Sequence, residues 1–170
     1  MLIGRGSSLH FLQNLACELK IDAYTNFTDL VPREEVPRYL AAIDIGLIPD
    51  PQNGVNEFST MLKTMDYMAA GKPILAFDLA ETRFTAQEAA LYARPNLVED
   101  FADKLEILLA DEELRARMGH YGRRRVEEEL GWEYTSKNLA RAYTTLFPPM
   151  QTVATRENAP IVHTISQGER

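Results

Sequence analysis

The chain has 170 residues, of which 45% are hydrophobic and 25% charged, and this balance is typical of one soluble α/β domain with its own core. Its formal net charge of -7 repels phosphate backbones, so nucleic acid is not expected as a partner. The single cysteine, Cys17, excludes an internal disulfide and fits a cytoplasmic protein. No run approaches the ~20 apolar residues that span a bilayer, so any membrane association would be peripheral, at the inner face.

The N-terminal segment predicts a strand, a glycine loop, a helix and a second strand. Residues 2–3 are apolar and end a buried strand, and residues 4–7 form the loop. Apolar side chains then recur at helical spacing over residues 8–20, a pattern that also places Cys17 in the packed core. Residues 23–27 are predicted to form the next strand.

The middle of the chain repeats this alternation. Residues 33–42 predict a helix and residues 43–49 a central parallel strand. After a polar loop, a further helix is predicted to begin with Ser59 or Thr60 as its capping residue and to stop before Gly71.

Two more strands are predicted before the pattern becomes purely helical. They are the short apolar runs at residues 74–77 and 90–93. Asn96 and Glu99 have the spacing of a capping box, which would begin the first closing helix. Asp111 is expected to cap the second closing helix.

Strands that alternate with helices predict an α/β fold with a parallel, doubly wound sheet. The folded domain is expected to cover residues 1–147, including a last helix that follows Trp132. Periodicity disappears from Pro148 onward, so residues 148–170 are expected to form a disordered tail. In such sheets ligands bind beyond the carboxyl ends of the strands, and the loops that follow the strands are therefore the candidate site.

The most informative segment is the loop and helix of residues 56–73. The N–H groups in the first turn of that helix point out of the strand edge, and together with the helix dipole they suit a diphosphate. Lys63 and Asp66 are three residues apart and share a helix face, where the lysine could hold a phosphate and the carboxylate a sugar diol. An ordinary surface Lys–Asp pair explains the same spacing.

This segment resembles the donor-binding segment of family 4-type (group 1) glycosyltransferases, which have the two-domain GT-B fold. The resemblance lies in the run Asp-Tyr-Met-Ala-Ala-Gly-Lys-Pro at residues 66–73, in Leu-Ile-Gly-Arg-Gly at residues 2–6, and in Ile-Asp-Ile-Gly-Leu-Ile-Pro at residues 43–49. It implies a Rossmann-like doubly wound sheet, the C-terminal half of a GT-B fold, with C-terminal helices. Residues 1–147 would then be an incomplete nucleotide-sugar-binding domain that lacks the N-terminal part of the enzyme.

The resemblance implies a role for each matched position. Asp66 stands where an acidic residue usually binds the ribose hydroxyls. Backbone N–H groups of Ser59, Thr60 and Met61 would meet the diphosphate and the transferred sugar, and Lys63 a further phosphate. The remaining implied donor-binding residues are Leu30 and Val31 against the base, and Gly4 and Gly6 in the glycine loop. Glu57 would be the acidic residue of the subgroup of relatives that read Ser-Thr-Met-x-Lys here.

Three positions depart from the family pattern. The first glutamate of the usual acidic pair falls at Phe58, one residue after Glu57. Asp66 is one methylene shorter than the usual glutamate, and Asp29 replaces the usual turn glycine. Because of these departures, the contacts that the family pattern implies to the transferred sugar need not all be present in this chain.

The implied function is a retaining glycosyltransferase that moves a sugar from a nucleotide-sugar to a saccharide or lipid-linked acceptor in polysaccharide or glycoconjugate synthesis. No cofactor and no metal are expected, because this type holds the leaving diphosphate with basic residues and helix dipoles, and the sequence has no Cys/His cluster. No catalytic residue is implied. With the N-terminal part absent, we expect a chain that is inactive alone and that self-associates or binds a partner through an uncovered sheet edge.

Two other functions fit the same residues. One is a non-catalytic α/β nucleotide-binding or interaction module that keeps the half-fold. The other is a nucleotide-sugar epimerase of related fold. The closing helices and the Met-Ala-x-Gly-x-Pro run favour the transferase.

Overall fold

The computed structural model of the chain describes residues 1–147. Residues 1–131 form one unit, and a second unit begins at Trp132. The predicted tail at residues 148–170 lies outside the described residues. Within the described part of the chain, no helix is long and apolar enough to cross a membrane.

Helices make up most of the described chain. The α-helices are α1 (Leu9–Glu18), α2 (Val36–Ala42), α3 (Leu62–Ala69), α4 (Ala80–Ala86), α5 (Val98–Ala110), α6 (Glu112–Arg125) and α7 (Trp132–Leu146). Short 3₁₀ helices lie at Asp22–Tyr24, Arg33–Glu35, Asn56–Phe58 and Gln87–Ala89, and a π-helical turn, Val126–Leu130, follows α6. The helix α7 belongs to the second unit and confirms the last helix predicted after Trp132.

Three parallel strands form the sheet, in the order β1 (Gly46–Ile48), β2 (Ile74–Phe77) and β3 (Ala90–Ala93). Ile74 lies opposite Gly46 on one side and opposite Ala90 on the other. The helix α3 connects β1 to β2, and α4 connects β2 to β3, because parallel neighbours need a crossover. These strands confirm the three apolar runs predicted from residue 43 onward.

Side chains of β2 alternate between two apolar layers, so helices cover both faces of the sheet. Ile74 and Ala76 pack with Met68 of α3, whereas Leu75 packs with Leu108 of α5. All five side chains are completely buried, and each of the larger ones contributes roughly 1.5–3 kcal/mol of hydrophobic stabilisation. The predicted α/β, doubly wound class is confirmed.

Glycines let α6 approach the end of α3 closely. A Cβ built on Gly119 would lie 2.1 Å from the carbonyl oxygen of Gly71, and one built on Gly122 would lie 3.2 Å from the Met68 side chain. Gly71 itself has a φ of +67°, the left-handed conformation that glycine adopts readily after a helix. The helix stop predicted at Gly71 is therefore confirmed, and α6 packs against the backbone of the same residue.

The strand predicted at residues 23–27 is wrong. Asp22–Tyr24 is a 3₁₀ helix, and only Phe27 pairs with Leu2, in a single parallel bridge. Local bonds such as the one from the Tyr24 N–H to the Ile21 carbonyl, at 3.0 Å, take the place of a strand ladder.

The core position predicted for Cys17 is also wrong. Its side chain is exposed, and the buried residue of α1 is its neighbour Ala16. Successive side chains of an α-helix point about 100° apart, so the orientation that buries Ala16 turns Cys17 toward solvent.

The cap predicted for α3 is absent. The residue that precedes α3 is Met61, and no side chain among residues 1–147 accepts a hydrogen bond from the first turn. Ser59 Oγ instead donates to the Val55 carbonyl at 2.7 Å, and Thr60 Oγ1 donates to a glutamate of α4. Both hydroxyls therefore serve contacts outside the helix.

The capping box predicted from Asn96 and Glu99 is wrong as well, since Leu97 precedes α5 and no side chain caps that helix. The cap predicted for α6 is confirmed. Asp111 Oδ1 accepts a hydrogen bond from the Leu114 N–H at 2.7 Å, which satisfies one of the donors left open by the first turn.

We expect Gly119→Ala to lower the free energy of unfolding by about 3 kcal/mol, because the new methyl group meets the Gly71 backbone rather than a movable side chain. Guanidinium unfolding followed by circular dichroism measures the change. Gly54→Ala is the matched control, since a Cβ there has nothing within 4 Å. Equal unfolding midpoints for the two variants would contradict the close contact between α6 and the end of α3.

Candidate functional site

The carboxyl ends of the strands bring three loops to one edge of the sheet. β1 ends at Ile48, β2 at Phe77 and β3 at Ala93, and these ends lie side by side because the strands are parallel. We call residues 49–61, which follow β1, the long edge loop. The helix α3 begins directly after this loop, so its N-terminus lies at the edge where open α/β sheets bind ligands.

A side chain from beyond β3 holds the start of the long edge loop. Asn96 Oδ1 accepts a hydrogen bond from the Gln52 N–H at 2.8 Å, and Asn96 Nδ2 donates to the Gln52 carbonyl at 3.3 Å. Asn96 has a φ of +60°, a left-handed conformation that asparagine tolerates better than most residues. One side-chain amide thus pairs with both backbone groups of Gln52.

Two glutamates join the rest of the long edge loop to α4. Glu57 accepts a hydrogen bond from Gln52 Nε2 at 3.0 Å and a second from the Ala80 N–H at 3.4 Å. Thr60 Oγ1 donates to Glu81 Oε2 at 2.9 Å. The carboxylate of Glu57, which the resemblance implies as a donor-binding group, is therefore already engaged by donors of the protein.

The N-terminus of α3 presents a row of backbone N–H groups at this edge. Those of residues 60–63 meet no acceptor among residues 1–147. Met61 is extended and its carbonyl accepts the first hydrogen bond of α3, from the Thr64 N–H at 2.9 Å. The Ser59 N–H differs from its neighbours, since it donates to the Asn56 carbonyl at 3.3 Å.

Lys63 and Asp66 lie on α3, but the ion pair of Lys63 is with a different carboxylate. Lys63 Nζ lies 2.6 Å from Asp50 Oδ2, at the start of the long edge loop. Asp66 is exposed, about 6 Å along the helix axis from Leu62. Its carboxylate therefore faces solvent on the first turns of α3.

Tyr67 sets how α3 lies on the sheet. A Cβ built on Gly46 of β1 would lie 2.5 Å from the Tyr67 ring, so the ring rests against the strand only because a glycine is there. Burial raises the pKa of Tyr67, with smaller contributions from the charges of Asp66 and Asp50.

The glycine loop belongs to another cavity. Gly4 and Gly6 line a space of about 300 Å³ together with residues such as Leu12 and Phe27. Among the residues that the structure describes, the lining comes from residues 2–27. This cavity therefore does not bring the glycine loop together with the N–H row of α3.

The two residues assigned to the base lie next to an exposed ion pair. Arg5 Nε donates to Asp29 Oδ1 at 2.9 Å, and the same oxygen accepts from the Leu30 N–H at 2.7 Å. The hydrogen bonds from Arg5 and from Leu30 lower the pKa of Asp29. Leu30 is 71% exposed, and Val31 is half-buried.

Arg83 occupies the edge beside the end of β2. Its guanidinium forms two 2.6 Å hydrogen bonds with Asp78 and lies 4.1 Å from the centre of the Tyr92 ring. Both charged side chains are well exposed, so the pair contributes only ~0.2–1 kcal/mol. Burial raises the pKa of Tyr92 to about 12, although the charge of Arg83 lowers it.

Sequence reasoning missed the polar residues that tie these loops together. Asp50 and Asn96 carry a signal that could have identified them, since each follows a strand at the ligand-binding edge. Gln52 lies in the loop after β1 and Glu81 at the start of the segment after β2, so each carries the same positional signal. Their partners lie on other elements, and only the folded chain brings them together.

The fold and the edge site define a Rossmann-like α/β domain of the GT-B type. Sucrose-phosphate synthase from Thermosynechococcus elongatus has the same fold, with a TM-score of 0.73 and 23% sequence identity over 84% of this chain and 35% of that one. The chain belongs to the glycosyl transferase-like family, whose model matches residues 9–141. The family resemblance stated from the sequence is confirmed.

Two characterised sequences are similar to most of the chain. It is 28% identical to the D-inositol 3-phosphate glycosyltransferase of Nocardia farcinica over 137 residues, which cover 78% of this chain and 29% of that protein. It is 26% identical to the GDP-mannose-dependent alpha-(1-6)-phosphatidylinositol monomannoside mannosyltransferase of Mycobacterium tuberculosis over 144 residues, which cover 82% of this chain and 37% of that protein. The matched region is thus about a third of these relatives.

We expect the Tyr92 hydroxyl to make stability fall in alkali. Its folded pKa, about 12, is above the ~10 of an unfolded tyrosine, so its contribution is complete below about pH 10 and is lost as the pH rises toward 12. Urea unfolding at about pH 8 and about pH 11 should show a smaller loss for Tyr92→Phe than for wild type, because phenylalanine has no proton to lose.

Tyr24→Phe is the control for this experiment. Tyr24 is 88% exposed, and its variant should lose as much stability between the two pH values as wild type does. The same loss in Tyr92→Phe as in wild type would contradict the raised pKa.

Proposed function

We propose that this chain is the donor-binding part of a retaining glycosyltransferase and that the N-terminus of α3 binds the diphosphate of a nucleotide-sugar. The observation that carries this proposal is the row of N–H groups at residues 60–63, which meet no acceptor among the described residues. The row lies at the carboxyl edge of a parallel sheet, where ligands of this architecture bind. Membership of the glycosyl transferase-like family supports the class of reaction.

A diphosphate is the ligand chemistry that this N-terminus suits. The helix dipole places roughly half a positive charge there, and hydrogen bonds to an ionised acceptor are roughly twice as strong as neutral ones. Within the described part of the chain no side chain caps α3, which leaves these N–H groups for a ligand. Lys63 adds a full positive charge when a phosphate replaces Asp50 as its partner.

The other donor contacts remain part of the proposal. Asp66 would accept hydrogen bonds from the two ribose hydroxyls, which an exposed carboxylate with two oxygens can do. Leu30 and Val31 would pack against the base. Gly4 and Gly6 would complete the donor site.

Charge stabilisation is the main contribution of these groups to the reaction. As the bond between sugar and diphosphate breaks, negative charge develops on the leaving phosphate. N–H groups already aimed at that position stabilise it without reorganising, and each is worth ~3–4 kcal/mol in enzymes where one has been removed. We propose that transfer retains the configuration of the sugar and uses no metal ion.

The proposed acceptor is a saccharide or a lipid-linked saccharide in polysaccharide or glycoconjugate synthesis. One relative is named as a phosphatidylinositol monomannoside mannosyltransferase, which supports a lipid-linked acceptor. We also propose a peripheral position at the inner face of the membrane. The chain matches 29% and 37% of the two relatives. We therefore propose that turnover needs a further domain or a partner chain that presents the acceptor.

Replacing Leu62 by proline tests the diphosphate site and leaves the helix in place. Leu62 is the first residue of α3, and Met61 before it already has the extended backbone that a following proline requires. The leucine side chain is 78% exposed, so its loss has little effect on stability. We expect Leu62→Pro to weaken the binding of UDP, GDP or ADP, whichever wild type binds, by roughly tenfold, because one charge-assisted hydrogen bond is lost.

Leu62→Ala is the matched control. It removes the same side chain and keeps the N–H group, so it should bind as wild type does. Isothermal titration calorimetry of wild type and both variants against the three nucleoside diphosphates measures the difference. Equal affinities for Leu62→Pro and Leu62→Ala would refute the proposed site.

We expect the chain by itself to transfer little or no sugar while it still binds the matching nucleoside diphosphate. Radiolabelled UDP-, GDP- and ADP-sugars with a panel of saccharide and lipid-linked acceptors measure the transfer. Sustained turnover by the isolated chain would contradict the requirement for a further domain or partner.

A further inference from the structure

The long edge loop leads into α3 and carries the first two N–H groups of the row, those of Thr60 and Met61. Its regular structure is one 3₁₀ helix, Asn56–Phe58. Two of its large apolar side chains face solvent, Val55 at 72% and Phe58 at 79% exposed, whereas Met61 at its end packs against the core. A loop with so few buried apolar contacts opens easily unless polar contacts hold it. The ligand-binding geometry at its end therefore depends on hydrogen bonds made along its length.

Asn96 supplies the two contacts that come from furthest away in sequence. They join residues 44 positions apart, and they act on both backbone groups of Gln52. The Gln52 side chain then donates to Glu57, whose other oxygen accepts from the Ala80 N–H. Fixing the backbone of Gln52 therefore also fixes its bond to Glu57, four residues before Met61.

The conformation of Asn96 supports a specific role in this contact. Its φ of +60° is unfavourable for most residues and persists where the surrounding structure holds it. The Asn96 side chain does not cap α5, although its spacing from Glu99 suits a capping box. The amide is directed to the long edge loop instead.

We propose that Asn96 is a positioning residue for the donor site. It does not touch the donor but holds the long edge loop so that the N–H groups of residues 60–63 converge on the diphosphate. This inference rests on the proposed function, because it assigns Asn96 to the site proposed there. A positioning role differs from a purely structural one, because the loss of Asn96 would weaken donor binding more than it weakens the fold.

Asn96→Gly is the decisive variant, because it removes the amide and keeps a residue that adopts positive φ easily. In the full chain, we expect hydrogen exchange at the Gln52 N–H to become about tenfold faster, as expected for the loss of two neutral hydrogen bonds. The dissociation constant for the nucleoside diphosphate that wild type binds, among UDP, GDP and ADP, should rise by about the same factor. The melting temperature should fall by only a few degrees relative to the control, since a tenfold effect is a small part of the unfolding free energy.

Lys20→Gly is that control. Lys20 is likewise an exposed residue with positive φ, +58°, but it follows α1 and lies outside the candidate site. Asn96→Asp is the conservative variant, since it keeps the oxygen that accepts the 2.8 Å bond from the Gln52 N–H. We expect Asn96→Asp to recover most of the exchange protection and most of the affinity.

The outcomes separate this inference from the proposed function. If wild type binds none of the three nucleotides, the proposed function fails and this inference fails with it. If wild type binds one and Asn96→Gly binds it as tightly as Lys20→Gly does, only the positioning role is overturned. A fall in affinity that accompanies a much larger fall in melting temperature and is not recovered by Asn96→Asp would also overturn it, since that result describes a structural residue.

Discussion

The parallel pairing of β1 with β2 is the constraint on which the rest of this structure depends. Because Ile48 lies opposite Ala76, both strands end at one edge, and the loops that leave them must meet there. The same pairing requires a crossover helix, so α3 starts at that edge. The open N–H groups and the polar side chains of three loops gather at one place as a consequence of strand direction.

Close contacts at glycine fix the direction in which α3 points. Gly46 lets the Tyr67 ring rest on β1, and Gly119 lets α6 approach the backbone at Gly71. One contact lies toward the middle of α3 and the other follows its end. A helix held in this way cannot rotate without steric overlap, because protein interiors have few voids to absorb a shift. The site therefore rests on a rigid element, whereas the loop before it is held by polar contacts.

The absence of a side-chain cap on α3 is a feature of the site rather than a defect of the helix. Ser59 and Thr60 are suitable capping residues, but their hydroxyls bond to Val55 and to Glu81. The first turn therefore keeps donors that a cap would satisfy. The two hydroxyls that could have capped the helix instead form hydrogen bonds that hold the loop before it.

The sequence by itself determined the features that depend on neighbouring residues. Periodicity and turn residues predicted β2, β3, the end of α3 at Gly71 and the Asp111 cap, because burial pattern and local hydrogen bonds are written within a few positions. Only the tertiary structure decided the ion pair of Lys63 with Asp50 and the bonds of Asn96 with Gln52. Local spacing predicted that Asn96 caps α5, but its amide bonds instead to Gln52, 44 residues away in sequence. Such contacts have no local signal, because they exist only after the sheet has brought distant loops to one edge.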